Sequence, residues 1–161
     1  MEIYIVRHGE TIWNEKKLLQ GRTDIELNEN GRRLARITGE HLRDTHFDMV
    51  FSSPLQRAYE TARLIIGDRD IPIKTNDLIK EMCFGDWEGQ NMSQLLKDES
   101  QYFQYFFKQP QLYHPTGKGE TFEELCGRAS RFMTEYIEPL ASTCERVMIV
   151  AHGAINKAMM M

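Results

Sequence analysis

Ile5-Val6-Arg7-His8-Gly9, near the start of the chain, ends in the same way as Ile149-Val150-Ala151-His152-Gly153. Each stretch is a short apolar run, typical of a strand buried on both faces, followed by a histidine and a glycine. Parallel strands end at the same edge of a sheet, so the two imidazoles are expected to meet there if the strands are neighbours. Glycine after each histidine would let the backbone turn sharply and a ligand come close.

Helical patterns between short strands predict a layered fold. Met49-Val50-Phe51 is a third strand-like run, while Asn28, Ser53-Pro54 and Thr121 carry the signals of helix N-termini. The helix residues expected to face the core are Leu34, Ile37, His41, Leu42, Leu55, Ala58, Ala62, Ile65, Leu125, Ala129, Phe132, Met133, Tyr136, Ile137 and Leu140. This alternation predicts the α/β class: a three-layer αβα domain with a mainly parallel central sheet and right-handed crossovers.

Composition restricts the class of protein. The chain has 161 residues, 41% hydrophobic and 27% charged, which predicts one domain over residues 1–161. No apolar run is long enough to cross a membrane and residues 1–4 lack a signal-peptide pattern, so we expect a cytoplasmic protein without a membrane partner. The net charge of −4 argues against a nucleic-acid partner. No metal-ligand spacing or disulfide framework is formed by Cys83, Cys126, Cys144, His41, His46 and His114.

Two arginines are expected at the edge where the histidines meet. Arg7 directly precedes His8, and Arg57 lies in the first turn of the helix that follows the Met49 strand. With His152 they would form a compact positive pocket on an otherwise acidic protein. Guanidinium groups bind a dianion through forked hydrogen bonds, so phosphate is the expected occupant.

Motifs in the same order along nearly the whole chain resemble the signature of one family. They are Arg7-His8-Gly9-Glu10-Thr11, Trp13-Asn14, Gln20-Gly21, Leu27-Asn28, Gly31, Ser52-Ser53-Pro54-Leu55-Gln56-Arg57-Ala58, Glu81, Phe84-Gly85-Asp86-Trp87-Glu88-Gly89, Gly119-Glu120-Thr121 and Ala151-His152-Gly153. The family is the histidine phosphatase superfamily, also called the phosphoglycerate mutase-like family.

The resemblance implies a fold of the phosphoglycerate mutase type and a role for each site residue. His8 would attack phosphorus and become phosphohistidine, while Arg7, Arg57 and His152 would bind the phosphoryl oxygens. Glu81 would protonate the leaving oxygen and then activate water. The substrate-binding positions would be Asn14, Gln20, Gly21 and Gly153, with no metal ion and no cofactor.

The residues after Glu81 favour hydrolysis over transfer within the substrate. A mutase of this family binds a carboxylated sugar phosphate, for which the family pattern has an arginine just after the acid and more in the insert. Here Met82-Cys83 follows Glu81, and no arginine occurs between Arg69 and Arg128. Lysine is not an equivalent clamp for a carboxylate. We therefore predict a phosphomonoester hydrolase of the phosphatase branch that acts on a small phosphorylated metabolite; a phosphoglycerate mutase and a non-catalytic phosphate-binding relative are the alternatives.

Two further segments bear on the function. Residues 91–118 form an insert or cap whose aromatic side chains favour packing in the core over a substrate-lining lid. The chain ends at Met161, a few residues into the helix expected after His152, where family members usually continue. C-terminal elements of the fold are therefore expected to be missing. The sequence leaves open which phosphomonoester is the substrate, and the oligomeric state.

Overall fold

The computed structural model describes residues 1–161, apart from the side chain of Gln101. Within these residues the sheet has four strands, β1 (Glu2–Arg7), β2 (Met49–Ser52), β3 (Ile73–Thr75) and β4 (Arg146–Ala151). All pairs are parallel and the order is β1-β4-β2-β3. The three predicted strands are confirmed. β3 was not predicted, because a strand of three residues directly after Pro72 carries too little pattern to recognise.

Helices cover both faces of this sheet. They are α1 (Ile12–Glu15), α2 (Glu29–His41), α3 (Gln56–Ile66), α4 (Met92–Lys97), α5 (Tyr105–Lys108), α6 (Phe122–Phe132) and α7 (Gly153–Met159). Val50, Met148 and Val150 face a core shared with α3, whereas Val147, Ile149 and Ala151 face a core shared with α6 and α7. The alternation of faces along β4 confirms the three-layer αβα prediction.

The inward face of α2 differs from the prediction. Leu34 is 44% exposed and His41 is also exposed, whereas Gly31 and Ala35 are buried. Gly31 packs on the backbone of Glu10. α2 also packs closely against α3, where a Cβ at Gly39 would lie 2.6 Å from the Ile65 carbonyl oxygen. Asn28 caps α2 as predicted, its side-chain oxygen accepting from the Gly31 amide at 2.8 Å.

The start of α3 lies two residues later than predicted. Ser53 is not its N-cap and Pro54 is not its first residue; the helix begins at Gln56 after Leu55. The Gln56 amide donates to Asp24 Oδ1 at 2.8 Å, so a loop carboxylate provides the cap that Ser53 was expected to give. The predicted inward residues Leu55, Ala58, Ala62 and Ile65 are all buried.

The helix after Thr121 has the predicted capping box but not a continuous α-helical register. α6 passes into a π-helical turn over Met133–Ile137 and a 3₁₀ turn over Glu138–Ser142. The wider π turn shifts the inward face, so Ile137 is buried while Tyr136 is 41% exposed.

The segment 91–118 is built from short helices held by aromatic packing. Phe103 and Tyr113 are buried, and both rings contact Trp87, at centroid distances of 5.2 and 5.8 Å. Tyr102 and Phe107 are 57% and 53% exposed. Core packing therefore accounts for part of the aromatic cluster and leaves these two rings at the surface. Among the described residues, no helix has the length and apolar character needed to cross a membrane.

Candidate active site

β1 and β4 end side by side, which brings the two histidines together. Arg7 pairs in register with Ala151, and the His8 amide donates to the Ala151 carbonyl at 3.0 Å. The imidazole centroids of His8 and His152 are 5.1 Å apart. The predicted meeting of both rings at one edge of the sheet is confirmed.

The His8 ring is held in one tautomer. Its Nδ1 lies 2.7 Å from the Gly9 carbonyl oxygen, and because a carbonyl only accepts, Nδ1 carries the hydrogen. Nε2 is then the nitrogen with the free lone pair. Burial, together with the positive charges of Arg57 and Arg7, lowers the pKa of His8 to about 3, against the opposing effect of the Gly9 hydrogen bond. His8 is therefore a neutral imidazole with an available Nε2 at ordinary pH.

Of the two glycines after the histidines, only Gly9 is required by a close approach, since a Cβ at Gly153 would make ordinary contacts. Neither has a positive φ, so the sharp turn expected from the sequence does not require glycine. A Cβ at Gly9 would lie 2.8 Å from the Gly31 carbonyl oxygen. A Cβ at Gly153 would lie 3.7 Å from both Arg7 Cζ and Glu81 Oε2. Gly9 thus lets the backbone after His8 pack on the start of α2, and Gly153 lies next to two predicted site side chains.

Arg57 is a buried cation on the first turn of α3. Its Nη1 donates to the Thr23 carbonyl at 3.0 Å and its Nη2 to the Gly21 carbonyl at 2.6 Å. Its Nε has no hydrogen-bond partner, and within the described side chains it forms no ion pair. Burial lowers the pKa of Arg57 to about 10, which leaves it charged near neutral pH. The carboxylates of Glu81, Asp24 and Glu88 oppose this shift, but none of them is within ion-pair distance of Arg57. A buried cation that no carboxylate contacts directly favours an anion next to it.

The His152 ring is a second indication of a ligand at this place. Its ring is completely buried, and neither Nδ1 nor Nε2 has a hydrogen-bond partner among the described residues. Burial and the charge of Arg57 lower the pKa of His152 well below its ordinary value, so the ring is neutral with one N–H donor. Buried polar atoms are normally satisfied. The unpartnered atoms of His152 and Arg57 therefore favour a polar ligand next to these side chains.

Glu81 lies at the N-terminus of α7. Oε1 accepts from the amides of Met82, at 2.8 Å, and Ile155, at 3.2 Å, and Oε2 accepts from the Ala154 amide at 3.1 Å. Burial raises the pKa of Glu81, while these amides and Arg57 oppose the shift. The carboxyl group is thus fixed in position, and its raised pKa favours the protonated form.

Asn14 and Gln20 share one hydrogen-bond network. Asn14 Oδ1 accepts from the Thr11 amide and hydroxyl, both at 3.0 Å, and from Gln20 Nε2 at 3.3 Å. Gln20 Oε1 lies 2.9 Å from the same Thr11 hydroxyl, whose single hydrogen is shared between the two oxygens. Asn14 therefore keeps its NH₂ group for a ligand, whereas the Gln20 side chain is engaged on both ends and holds Asn14.

Two surface depressions differ in whether predicted site residues line them. The larger, of about 800 Å³, lies on α3 around Tyr59 and Arg63 and includes none of the predicted site residues. The smaller, of about 260 Å³, is lined by Arg7, His8, Gly9, Glu10 and Asn14. The smaller one is the candidate site, because Arg7, His8 and Asn14 line it; the buried Arg57, Glu81 and His152 lie outside its lining.

One residue that shapes the site had no assigned role in the sequence. The Glu88 carboxylate accepts from the amides of Arg22 at 2.9 Å and Thr23 at 2.8 Å, and from the Thr23 hydroxyl. It thereby fixes the loop whose carbonyls receive Arg57. The sequence places Glu88 within a family motif but gives no sign of this contact, since 65 residues separate it from Thr23.

Stability should fall in acid because of the buried histidines. An unfolded histidine gains a proton near its ordinary pKa of 6.5, whereas folded His8 resists protonation down to about 3. The contribution of neutral His8 to the free energy of unfolding is therefore fully present above about pH 6.5 and is lost as the pH falls. The loss from His8 alone should reach on the order of 3 kcal/mol at about pH 4. Urea unfolding across this range should show the loss, and His8→Asn should make the slope shallower. An identical slope in wild type and variant would contradict this assignment; exposed His41→Asn is the control.

Comparison with known proteins agrees with this geometry. Residues 3–161 match the model of the histidine phosphatase superfamily (branch 1). The "Uncharacterized phosphatase PhoE" of Bacillus subtilis is 37% identical over 158 residues, covering 98% of this chain and 75% of PhoE. A "2,3-bisphosphoglycerate-dependent phosphoglycerate mutase" of Cytophaga hutchinsonii is 35% identical, covering 99% of this chain and 75% of the mutase.

The fold is also found in solved structures. Bacillus stearothermophilus YhfR superposes with a TM-score of 0.89 at 34% identity, covering 98% of this chain and 77% of YhfR. The chain thus spans about three quarters of the length of these relatives. With its two strand-end histidines, its buried arginine and a family match over nearly its whole length, the chain belongs to the histidine phosphatase superfamily.

Proposed function

We propose that residues 1–161 form one histidine phosphatase domain that hydrolyses a small phosphomonoester in the cytoplasm through a phosphohistidine on His8, without a metal ion. One observation carries this proposal: His8, with its unprotonated Nε2, lies beside His152, and both ring nitrogens of His152 and the Nε of buried Arg57 lack protein partners. A nucleophile beside vacant donors for a dianion is the arrangement that phosphoryl transfer requires.

The first step transfers the phosphoryl group to His8. Nε2 attacks phosphorus in line, and the P–N bond forms as the bond to the leaving oxygen breaks. Arg7, Arg57 and His152 stabilise the charge on the phosphoryl oxygens. The leaving oxygen takes the electron pair of the broken bond and the proton of Glu81, whose raised pKa favours the protonated form.

The second step restores the enzyme. The Glu81 carboxylate accepts a proton from water while the water oxygen attacks phosphorus and the P–N bond breaks. Inorganic phosphate leaves, and His8 is again a neutral imidazole. One group is therefore acid in the first step and base in the second.

The mutase remains the second candidate because a phosphoglycerate mutase is among the relatives. Its substrate carries a carboxylate beside the phosphate, which calls for a second cationic clamp near the site. The absence of arginine between Arg69 and Arg128 in the sequence favours the phosphatase.

An assay with two substrates tests the proposal. Hydrolysis of 4-nitrophenyl phosphate should continue in excess EDTA, whereas a magnesium-dependent phosphatase run in parallel should stop. With 3-phosphoglycerate and a bisphosphorylated primer, free phosphate should form faster than the 2-isomer. Faster isomer formation would establish the mutase, and phosphate binding without turnover of either compound would establish the non-catalytic alternative.

A further inference from the structure

Three side chains outside the proposed chemistry hold the backbone on both sides of Glu81. Arg128 Nη1 donates to the carbonyls of Leu78 and Lys80, each at 2.6 Å. Arg22 Nε donates to the carbonyl of Glu81 itself at 3.3 Å. Glu120 Oε2 accepts from the Cys83 amide at 3.2 Å. The segment 78–83 is thus fixed before, at and after Glu81.

The same three side chains form one ionic network, here called the Glu120 network. Arg128 and Glu120 make a two-pronged pair, Nε to Oε1 at 2.6 Å and Nη2 to Oε2 at 3.0 Å. Arg22 Nη2 joins Glu120 Oε1 at 3.3 Å. The Arg128 and Glu120 side chains are only 11% and 8% exposed, while that of Arg22 is 43% exposed.

Stability alone is a weak explanation for this arrangement. Removing two charges from water offsets most of the attraction between them, so a buried ion pair contributes little net free energy. Its planar forks nevertheless impose a definite geometry. In the Glu120 network that geometry is imposed on carbonyl and amide groups of the segment that carries the proposed acid.

The Glu81 carboxyl group depends on where this backbone lies. Its oxygens reach the Met82 amide and the first amides of α7, at distances between 2.8 and 3.2 Å. A displacement of about 1 Å in the backbone would break these contacts and move the proton donor away from the leaving oxygen, at a cost of roughly 100-fold in rate.

We propose that Glu120, Arg128 and Arg22 are positioning residues that hold Glu81 for proton transfer to the leaving oxygen and from water. This inference rests on the function proposed above. It gives the network a specific kinetic signature. An alkyl leaving group departs as a strongly basic oxygen and needs the proton of Glu81, whereas 4-nitrophenolate departs as a stable anion and does not.

The test measures kcat/KM, which reports the phosphorylation step, for an alkyl phosphomonoester and for 4-nitrophenyl phosphate. Glu81→Gln serves as the reference. Arg128→Gln should lower kcat/KM for the alkyl ester by roughly 10- to 100-fold and for 4-nitrophenyl phosphate by less than about 3-fold. Arg22→Gln should show the same pattern with a smaller effect, because its contact with the Glu81 carbonyl is longer. For the alkyl ester, the double variant Arg128→Gln with Glu81→Gln should have nearly the same kcat/KM as Glu81→Gln alone, because both changes affect the same proton transfer.

The matched control is Arg131→Gln. Arg131 lies on the same helix as Arg128, but it is exposed and pairs only with Glu135 at the surface. It should leave both substrates unaffected. If Arg128→Gln does not fold, Arg22→Gln and Arg128→Lys are used to test the positioning role. The lysine keeps the positive charge but lacks the two-pronged geometry of the guanidinium group.

The outcomes separate this inference from the proposed function. Suppose that Glu81→Gln lowers kcat/KM more for the alkyl ester than for 4-nitrophenyl phosphate. The positioning role would then be overturned if folded Arg128 and Arg22 variants lost kcat/KM equally on both substrates, or on neither. Absence of this leaving-group dependence in Glu81→Gln would instead overturn the role of Glu81 and, with it, this inference.

Discussion

His8→Ala should abolish phosphomonoester hydrolysis, with kcat/KM falling by about 10⁴- to 10⁶-fold, because a covalent route loses its nucleophile entirely. Steady-state release of phosphate from 4-nitrophenyl phosphate measures the loss. Arg57 and His152 are untouched, so the variant should still bind inorganic phosphate, detected as a rise in Tm on adding phosphate.

The control for His8 is His41→Ala, at an exposed histidine on α2. It should retain wild-type kcat/KM. Residual hydrolysis in His8→Ala within about tenfold of wild type would show that water attacks phosphorus directly, and the covalent mechanism would have to be withdrawn.

Arg57→Gln should produce the second-largest effect, lowering kcat/KM by about 10²- to 10⁴-fold. The change removes the buried charge that we propose binds the phosphoryl oxygens. It also leaves the Gly21 and Thr23 carbonyls without their donor, so the 21–23 loop should loosen and the inhibition constant for orthovanadate should rise.

Comparison with Arg57→Lys and Arg63→Gln separates charge from geometry. Lysine keeps the charge but cannot donate to two carbonyls and a ligand from one plane, so it should recover only part of the activity. Arg63 is an exposed arginine on the same helix, and its loss should leave kcat/KM unchanged. A loss smaller than about fivefold in Arg57→Gln would contradict the assignment of Arg57 to phosphate binding.

The sequence predicts the sheet better than the helix faces. β2 and β4 are apolar runs buried by their neighbours, so local pattern and tertiary position agree. β1 is also a strand, but it lies at the edge of the sheet and its residues are exposed or half-buried, so the expected burial on both faces is wrong for it. For α2 the pattern selected Leu34, but the structure buries Ala35 and Gly31, and Gly31 packs on the backbone of Glu10. The π turn after α6 was likewise not predicted from the spacing of apolar residues.

The residues of the candidate site also differ in how far the sequence predicts them. His8 and His152 follow strands, and Arg57 follows another, so topology alone predicts that they share an edge. Glu81 lies in an irregular loop and was identified only through the family resemblance. The contacts of Glu88 and Glu120 join segments far apart in sequence, and charged loop residues give no sign of their partners.

The central claim is that His8 carries the phosphoryl group during turnover. Enzyme mixed with substrate and denatured rapidly in alkali, where a phosphoramidate bond survives, should yield a peptide containing His8 with one added phosphoryl group. The modification should disappear on acid treatment and should be missing from His8→Ala. Hydrolysis during which no phosphorylated His8 is trapped, even in Glu81→Gln where the second step is slowed, would contradict the account.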